Sequence, residues 1–298
     1  MKIYNYKKTK KVTTMKTSVN TYSFAKARHE DGSEYTQFEM ISCAKKMGFD
    51  AIEFVGLAGN EANPIEYVQK LKEAAAREGL EIACYTVGAD LLKDGEVERV
   101  KKEVDTAALL GVKVMRHDAA WAWPEGKSFE EVLAILADRC REITEYASTK
   151  GVRTMVENHG HFMQDSDRMV ALYKAVNHKN FGLLCDIGNF ACADEENVSA
   201  VKNVSPYAIY VHAKDFKRKT SAECPQGVPS NYFATRSREN FLRGTIVGEG
   251  IVNAEECIKI LMEAGYDGYI SVEFEGTEEP LQAIQKGLEN VKKYIIRT

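Results

Sequence analysis

The chain has 298 residues, 44% of them hydrophobic and 28% charged, with a formal net charge of −4 at pH 7. This is ordinary globular composition, and the weakly acidic balance gives no general attraction to nucleic acid or to a membrane surface. No segment is apolar for long enough to span a bilayer, and the first sixteen residues hold no signal-peptide core.

The seven cysteines are odd in number and lack CxxC spacing, which reads as reduced thiols in a cytoplasmic protein. Residues 1–16 carry the basic run Lys7-Lys8-Thr9-Lys10-Lys11 and are expected to form a flexible tail, with Met15 available as an alternative start. Residues 17–298 contain no Pro-, Gly- or Ser-rich linker, so a single domain is expected there.

From Thr17 onward, short β-branched or apolar runs alternate with charged segments of helical period. The first strand is expected from Thr17 to Phe24 and its helix from about Glu34 to Met47. Gly48-Phe49-Asp50 turns into a second strand, Ala51 to Val55, and Asn63-Pro64 opens a helix that Gly79 closes. A third strand, Glu81 to Val87, precedes a helix from about Gly95 to Leu110 that carries Val97, Val100, Val104, Ala107 and Ala108 on one face. The fourth strand is Val112 to His117. Ser128 with Glu131 makes a capping-box start for the next helix, which runs to about Lys150. The fifth strand lies in Gly151-Val-Arg-Thr-Met-Val-Glu157, and a helix follows from Asp165 or Ser166. The sixth strand is Phe181 to Asp186, with a short helix around Glu195 to Asn203, and the seventh is Ala208 to His212. Asp215 to Gly250 reads as a long polar loop. A helix near Asn253, a strand from Tyr269 to Phe274 and a helix from Pro280 to about Ile296 complete the chain.

Eight strands, each followed by a helix, predict an α/β fold, a closed (β/α)8 TIM barrel. An open doubly wound sheet often announces itself with a glycine-rich first turn, and none is present. Two echoes fit a repeating unit: Gly111-Val-Lys-Val-Met-Arg-His117-Asp beside Gly151-Val-Arg-Thr-Met-Val-Glu157-Asn, and Gly48-Phe-Asp beside Gly265-Tyr-Asp.

In such a barrel, chemistry gathers at the C-terminal strand ends. Strand period two turns Val156, Cys185, Val211 and Val272 outward, and Glu157, Asp186, His212 and Glu273 inward. Three carboxylates so close together repel one another unless a cation compensates. With one imidazole and no thiolate, the set favours one divalent ion, Mn2+ first, with Mg2+, Co2+ and Zn2+ also compatible.

Val156-Glu157-Asn158-His159, Cys185-Asp186-Ile187-Gly188-Asn189, Val211-His212-Ala213-Lys214-Asp215 and Ser271-Val272-Glu273 resemble the metal motifs of the xylose-isomerase-like superfamily. Its sugar phosphate isomerase/epimerase branch includes ketose 3-epimerases related to D-tagatose epimerase, and the resemblance covers roughly residues 17 to 296. It implies that Glu157, Asp186, His212 and Glu273 bind one metal ion. It implies also that Glu157 and Glu273 are the catalytic acid/base pair. One takes a proton beside a carbonyl, the other returns it on the opposite face, and the ion stabilises the enediolate. Several ketose epimerases have a histidine where this chain has Asn189, a side chain that can hydrogen-bond a hydroxyl but cannot titrate.

Around these positions, His117 ends the fourth strand with the expected inward parity of Glu157 and could touch substrate or stay a structural hydrogen-bonding group. Trp121 and Trp123 could wall a sugar ring or pack the loop. Glu53 could bind a hydroxyl or form a rim salt bridge, and Lys214 could reach a sugar oxygen or phosphate. His159 suits support of the metal ligands, and His161 suits loop structure. Six cationic residues between Phe216 and Val247 fit either a cationic lid or solvated loop charge. Gly248-Glu249-Gly250 is a tight turn with no phosphate site.

The leading expectation is a metal-dependent isomerase or epimerase of a small sugar or sugar derivative. The same scaffold admits a lyase, similar to inosose or dehydroshikimate dehydratases or to C-glycoside-cleaving subunits. A repair enzyme resembling endonuclease IV would need a histidine-rich three-zinc cluster, which six histidines and an acidic balance disfavour. A non-catalytic binding barrel would not favour three uncompensated carboxylates. Related barrels are often dimers or tetramers, so a homo-oligomer is compatible.

Overall fold

The structure is a computed structural model and describes residues 15–57 and 64–296. The basic run at residues 7–11 and the helix-opening Asn63 lie outside the described residues. Eight parallel strands close into a barrel: β1 Lys16–Asn20, β2 Ala51–Val55, β3 Glu81–Val87, β4 Val114–His117, β5 Arg153–Glu157, β6 Phe181–Asp186, β7 Ala208–Ala213 and β11 Tyr269–Val272. Helices α1 Gln37–Met47, α2 Pro64–Glu78, α3 Glu96–Leu110, α4 Phe129–Thr149, α5 Ser166–Val176, α6 Asn197–Val204, α7 Ala254–Glu263 and α8 Pro280–Ile296 alternate with them. The (β/α)8 expectation holds. Among the described residues, no helix is long and apolar enough to cross a membrane.

The helix starts follow local chemistry. Thr36 with Glu39, and Ser128 with Glu131, form reciprocal capping boxes that satisfy backbone donors at the first turns of α1 and α4. Most of the core lies between strands and helices and includes Val156, Cys185, Val211 and Val272. A smaller cluster, Ala51, Ala83, Cys84, Met155, Leu184 and Tyr210, fills the barrel interior. Outward and inward parity on β5, β6, β7 and β11 is therefore as the sequence predicts.

Three expectations are corrected. The first strand stops at Asn20, whose side chain accepts from the Tyr22 N–H and turns Thr21–Phe24 into a 3-10 helix. Glu273 lies one residue beyond the end of β11. The loop after β7 contains an antiparallel sheet of β8 Asp215–Thr220, β9 Phe233–Ala234 and β10 Asn240–Thr245, in the order β8-β10-β9. Its outer strand exposes Arg218 and Lys219, so it lacks the apolar face that would mark a strand in sequence.

Buried Asp215 pins the far end of this excursion by accepting the N–H groups of Phe216, Gly248, Gly250 and Val252 at 2.8 to 2.9 Å. A Cβ at Gly250 would stand 2.1 Å from Asp215 Oδ1 and 2.3 Å from the Phe216 carbonyl oxygen. Close backbone approach explains that glycine, and Gly248 adds a φ of +90°.

Candidate metal centre

Each barrel strand, or the residue after it, turns a polar side chain into the C-terminal mouth: Asn20, Glu53, Thr86, Arg116, Glu157, Asp186, His212 and Glu273, all buried. Glu157, Asp186, His212 and Glu273 each bring one potential ligand atom within 4.8 Å of the other three. The four residues singled out from sequence are thus brought together.

His212 is the hinge of the arrangement. Its Nε2 lies 3.0 and 2.9 Å from the two Glu53 oxygens across the barrel, and Thr86 Oγ1 donates to Glu53 Oε1 at 2.6 Å. A proton on Nε2 is held there by carboxylate, which turns Nδ1 toward the mouth. Nδ1 stands 2.9 Å from Glu273 Oε2 and 3.5 Å from Glu157 Oε1, yet it is buried with no aligned hydrogen-bond partner. Glu53 therefore supports His212, a contact that its reading as a hydroxyl-binding or rim residue missed.

Asp186 spends Oδ1 on the N–H groups of Gly188 and Asn189, at 2.7 and 3.0 Å. Its Oδ2 is buried without a hydrogen-bond partner. Asn158 clamps the Asp186 backbone, donating to its carbonyl and accepting from its N–H, both at 2.9 Å. Two buried polar atoms without hydrogen-bond partners, aimed into one cluster of hard donors, fit a divalent cation.

The surrounding charges confirm the imbalance. Burial raises Asp186 to about 7, against the pull of Lys214. Burial also works against ionised Glu157, but Arg116 and His212 outweigh it and hold that carboxyl well below its usual range. Glu273 feels the same burial, and Lys214 and His212 bring it down to about 2. Burial disfavours the imidazolium of His212, yet Glu53, Glu273 and Glu157 raise it well above its ordinary value. Lys214 Nζ sits 2.7 Å from Glu273, 3.6 Å from Glu275 and 3.7 Å from Asp186. It thus neutralises carboxylates. Asn189 bridges the halves, donating to Glu157 Oε1 at 3.2 Å and facing Lys214 Nζ at 3.5 Å through its own oxygen.

His117 does not reach the mouth. In register it pairs with Val87 and Val156, which face the helix layer, whereas Arg116 pairs with Thr86 and Met155 and faces inward. The predicted parity of β4 is therefore reversed, and substrate contact by His117 is corrected to a structural role. Its Nδ1 donates to the Asp118 carbonyl at 2.9 Å. Burial lowers its pKa to about 4 from 6.5. Between those values the unfolded chain binds the extra proton, so this residue's contribution to stability is full above pH 6.5 and is lost as pH falls toward 4, by about 3 kcal/mol in all. In urea titrations, wild type minus H117N should show that slope; a flat difference would refute it.

Trp121 is 46% exposed at the rim, edge-on to His159 with centroids 4.8 Å apart. Trp123 packs edge-on to Phe162 at 4.9 Å and under the Arg168 guanidinium at 4.3 Å. His159 Nδ1 lies 3.0 Å from Asp118 Oδ1, while His161 is exposed.

The model of the xylose isomerase-like TIM barrel family matches residues 41–294. The chain belongs to that family. It is 26% identical over 264 residues to an uncharacterised protein of Methanocaldococcus jannaschii, covering 83% of this chain and 80% of that one. An L-ribulose-5-phosphate 3-epimerase of Escherichia coli is 22% identical, over 85% of this chain and 88% of the epimerase. An inosose dehydratase of Clostridium perfringens is 27% identical over 56% of this chain, and the match spans only 54% of the dehydratase. Solved structures share the fold: a xylose isomerase-like TIM barrel protein of Mycobacterium smegmatis in complex with magnesium has a TM-score of 0.73 at 18% identity, over 96% of this chain and 98% of that one. A solved L-ribulose 3-epimerase has a TM-score of 0.72 at 13% identity, with 95% of each chain covered. The relatives of this chain thus include an epimerase and a dehydratase.

Proposed function

We propose that this chain is a divalent-metal-dependent enzyme that isomerises or epimerises a sugar or sugar derivative by proton transfer beside a carbonyl. The convergence of Glu157, Asp186, His212 and Glu273 carries the reading, with Asp186 Oδ2 and His212 Nδ1 left unbonded inside it. These four would hold the ion, Mn2+ first and Mg2+, Co2+ or Zn2+ also compatible with the donors. When bound, the ion supplies positive charge beside the sugar oxygens on which negative charge develops.

The chain's own side chains do the remaining work. Glu157 approaches His212 Nδ1 from the end of β5 and Glu273 from the residue after β11, so they can serve opposite faces of one carbon, one taking a proton and the other returning one. Asn189 and Lys214 can bind hydroxyl oxygens, and the exposed Trp121 ring can cover a sugar ring. All seven cysteines are unpaired, which supports the cytoplasmic setting. The proposed partner is a small sugar, with neither nucleic acid nor membrane, in a chain that could act as a homo-oligomer.

The likeness to an inosose dehydratase favours a second reading, elimination of water at the same site. Both need a carbanion beside a carbonyl, so the product decides. Purified protein should carry close to one divalent ion per chain by elemental mass spectrometry and convert a sugar to a product of equal mass. A product lighter by one water selects the dehydratase. No ion after incubation with Mn2+ sinks both.

A further inference from the structure

Arg116 is the buried cation that the sequence did not foreshadow. We propose that it is a positioning residue that holds one oxygen of Glu157 out of the metal centre, so that this carboxylate offers only its other oxygen to an ion. The inference rests on the metal-centre reading above and deepens it.

Arg116 is 5% exposed, and its guanidinium is gripped from three segments. Nη2 lies 2.6 Å from Glu157 Oε2, 2.7 Å from Asp118 Oδ1 and 3.0 Å from His159 Nδ1. Nη1 donates to the Val87 carbonyl and to Asp118 Oδ2, both at 3.2 Å. Contacts from β3, from the end of β4 and from the turn after β5 therefore fix its plane. Hydrogen bonds to Val87, Asp118 and His159 fix the planar fork, so its charge meets Glu157 at a set place, whereas an ammonium is a point charge with free rotation.

The consequence falls on Glu157. Its Oε2 is ion-paired with Arg116 at 2.6 Å, and Oε1 faces His212 Nδ1 at 3.5 Å and Asn189 Nδ2 at 3.2 Å. Glu273 is held differently. Asn20 Nδ2 donates to Oε2 at 3.0 Å, and Lys214, which two other carboxylates share, stands on Oε1. The two glutamates are thus unequal: one is locked by a rigid fork, the other is held by a neutral amide and a flexible chain.

R116K keeps the charge at this position and changes its geometry, and D118N removes one of the carboxylates that hold the guanidinium. Mn2+ binding is titrated calorimetrically into metal-free wild type, R116K, D118N and the double variant, with circular dichroism and Tm recorded for each. Losing a supporting contact to a ligand typically weakens binding about 10–100-fold. R116K should show such a loss although its charge is retained, with a native spectrum. D118N, which frees the fork, should weaken Mn2+ in the same direction, and the double variant should fall short of the product of the two losses. If R116K does not fold, D118N alone decides. Mn2+ affinity within twofold of wild type in a folded R116K, or in D118N where R116K does not fold, overturns the proposal while leaving the metal centre intact. Absence of Mn2+ binding by wild type overturns the metal reading and this inference with it.

Discussion

Glu273→Gln is expected to remove the proposed epimerisation, lowering kcat by roughly 10²–10⁴-fold from the lost proton transfer alone. The substitution keeps the side chain's size and leaves an oxygen for Lys214, whose Nζ is 2.7 Å from Glu273 Oε1. It removes the negative charge that faces His212 Nδ1 at 2.9 Å, so bound metal should fall as well. Glu157→Gln should be equally inactive, because in the proposed mechanism each glutamate serves one face of the carbon. The pair makes a sharper expectation than either alone. In deuterated water, a variant that retains one base and enough metal can still remove and return a proton on that base's face. Each single variant should therefore exchange deuterium into one epimer without inverting it, and the two should favour opposite epimers as substrate. The measurement is mass spectrometry of recovered sugar, with ion content recorded beside it. Turnover within tenfold of wild type in either variant would remove that glutamate from the acid/base pair.

The inward residues of β5, β6, β7 and β11 were readable because their strands are buried on both faces, so a polar residue at an inward terminal position stands out. Arg116 was not readable by the same rule. The echo between the segments beginning at Gly111 and Gly151 aligns His117 with Glu157, but β4 pairs Val114 with Arg153, three residues after one glycine and two after the other. Strands of a closed barrel are staggered, so counting from equivalent turns does not place side chains at equal heights. That single-residue offset turned His117 outward and Arg116 inward. Lys214 continues the inward parity of β7, but its engagement by carboxylates from β6 and the segment after β11 is a contact between separate segments of the chain. Glu53 illustrates the same limit, since its partner His212 is 159 residues away and β2 and β7 are not neighbours in the barrel.

That pairing across the interior gives the second large expectation. Glu53→Gln should weaken Mn2+ binding about 10–100-fold, although Glu53 is not among the four residues that converge on one point. Both Glu53 oxygens address His212 Nε2, which keeps a proton on that nitrogen and leaves Nδ1 for an ion. A glutamine amide can instead donate to Nε2 and move the proton to Nδ1, where it would block the centre. The loss of a fully buried charge also leaves Thr86 Oγ1, 2.6 Å from Glu53 Oε1, without its charge-assisted acceptor. Thr86→Val removes that last contact, together with the 3.7 Å one to Cys84 Sγ, while Glu53 stays, and should therefore weaken Mn2+ in the same direction by less. A graded series, wild type above T86V above E53Q, with native spectra throughout, is what orientation through Glu53 requires. Equal affinity in wild type and E53Q would mean that His212 finds its tautomer and ring angle without the carboxylate, and that the buried pair serves the stability of the barrel interior alone.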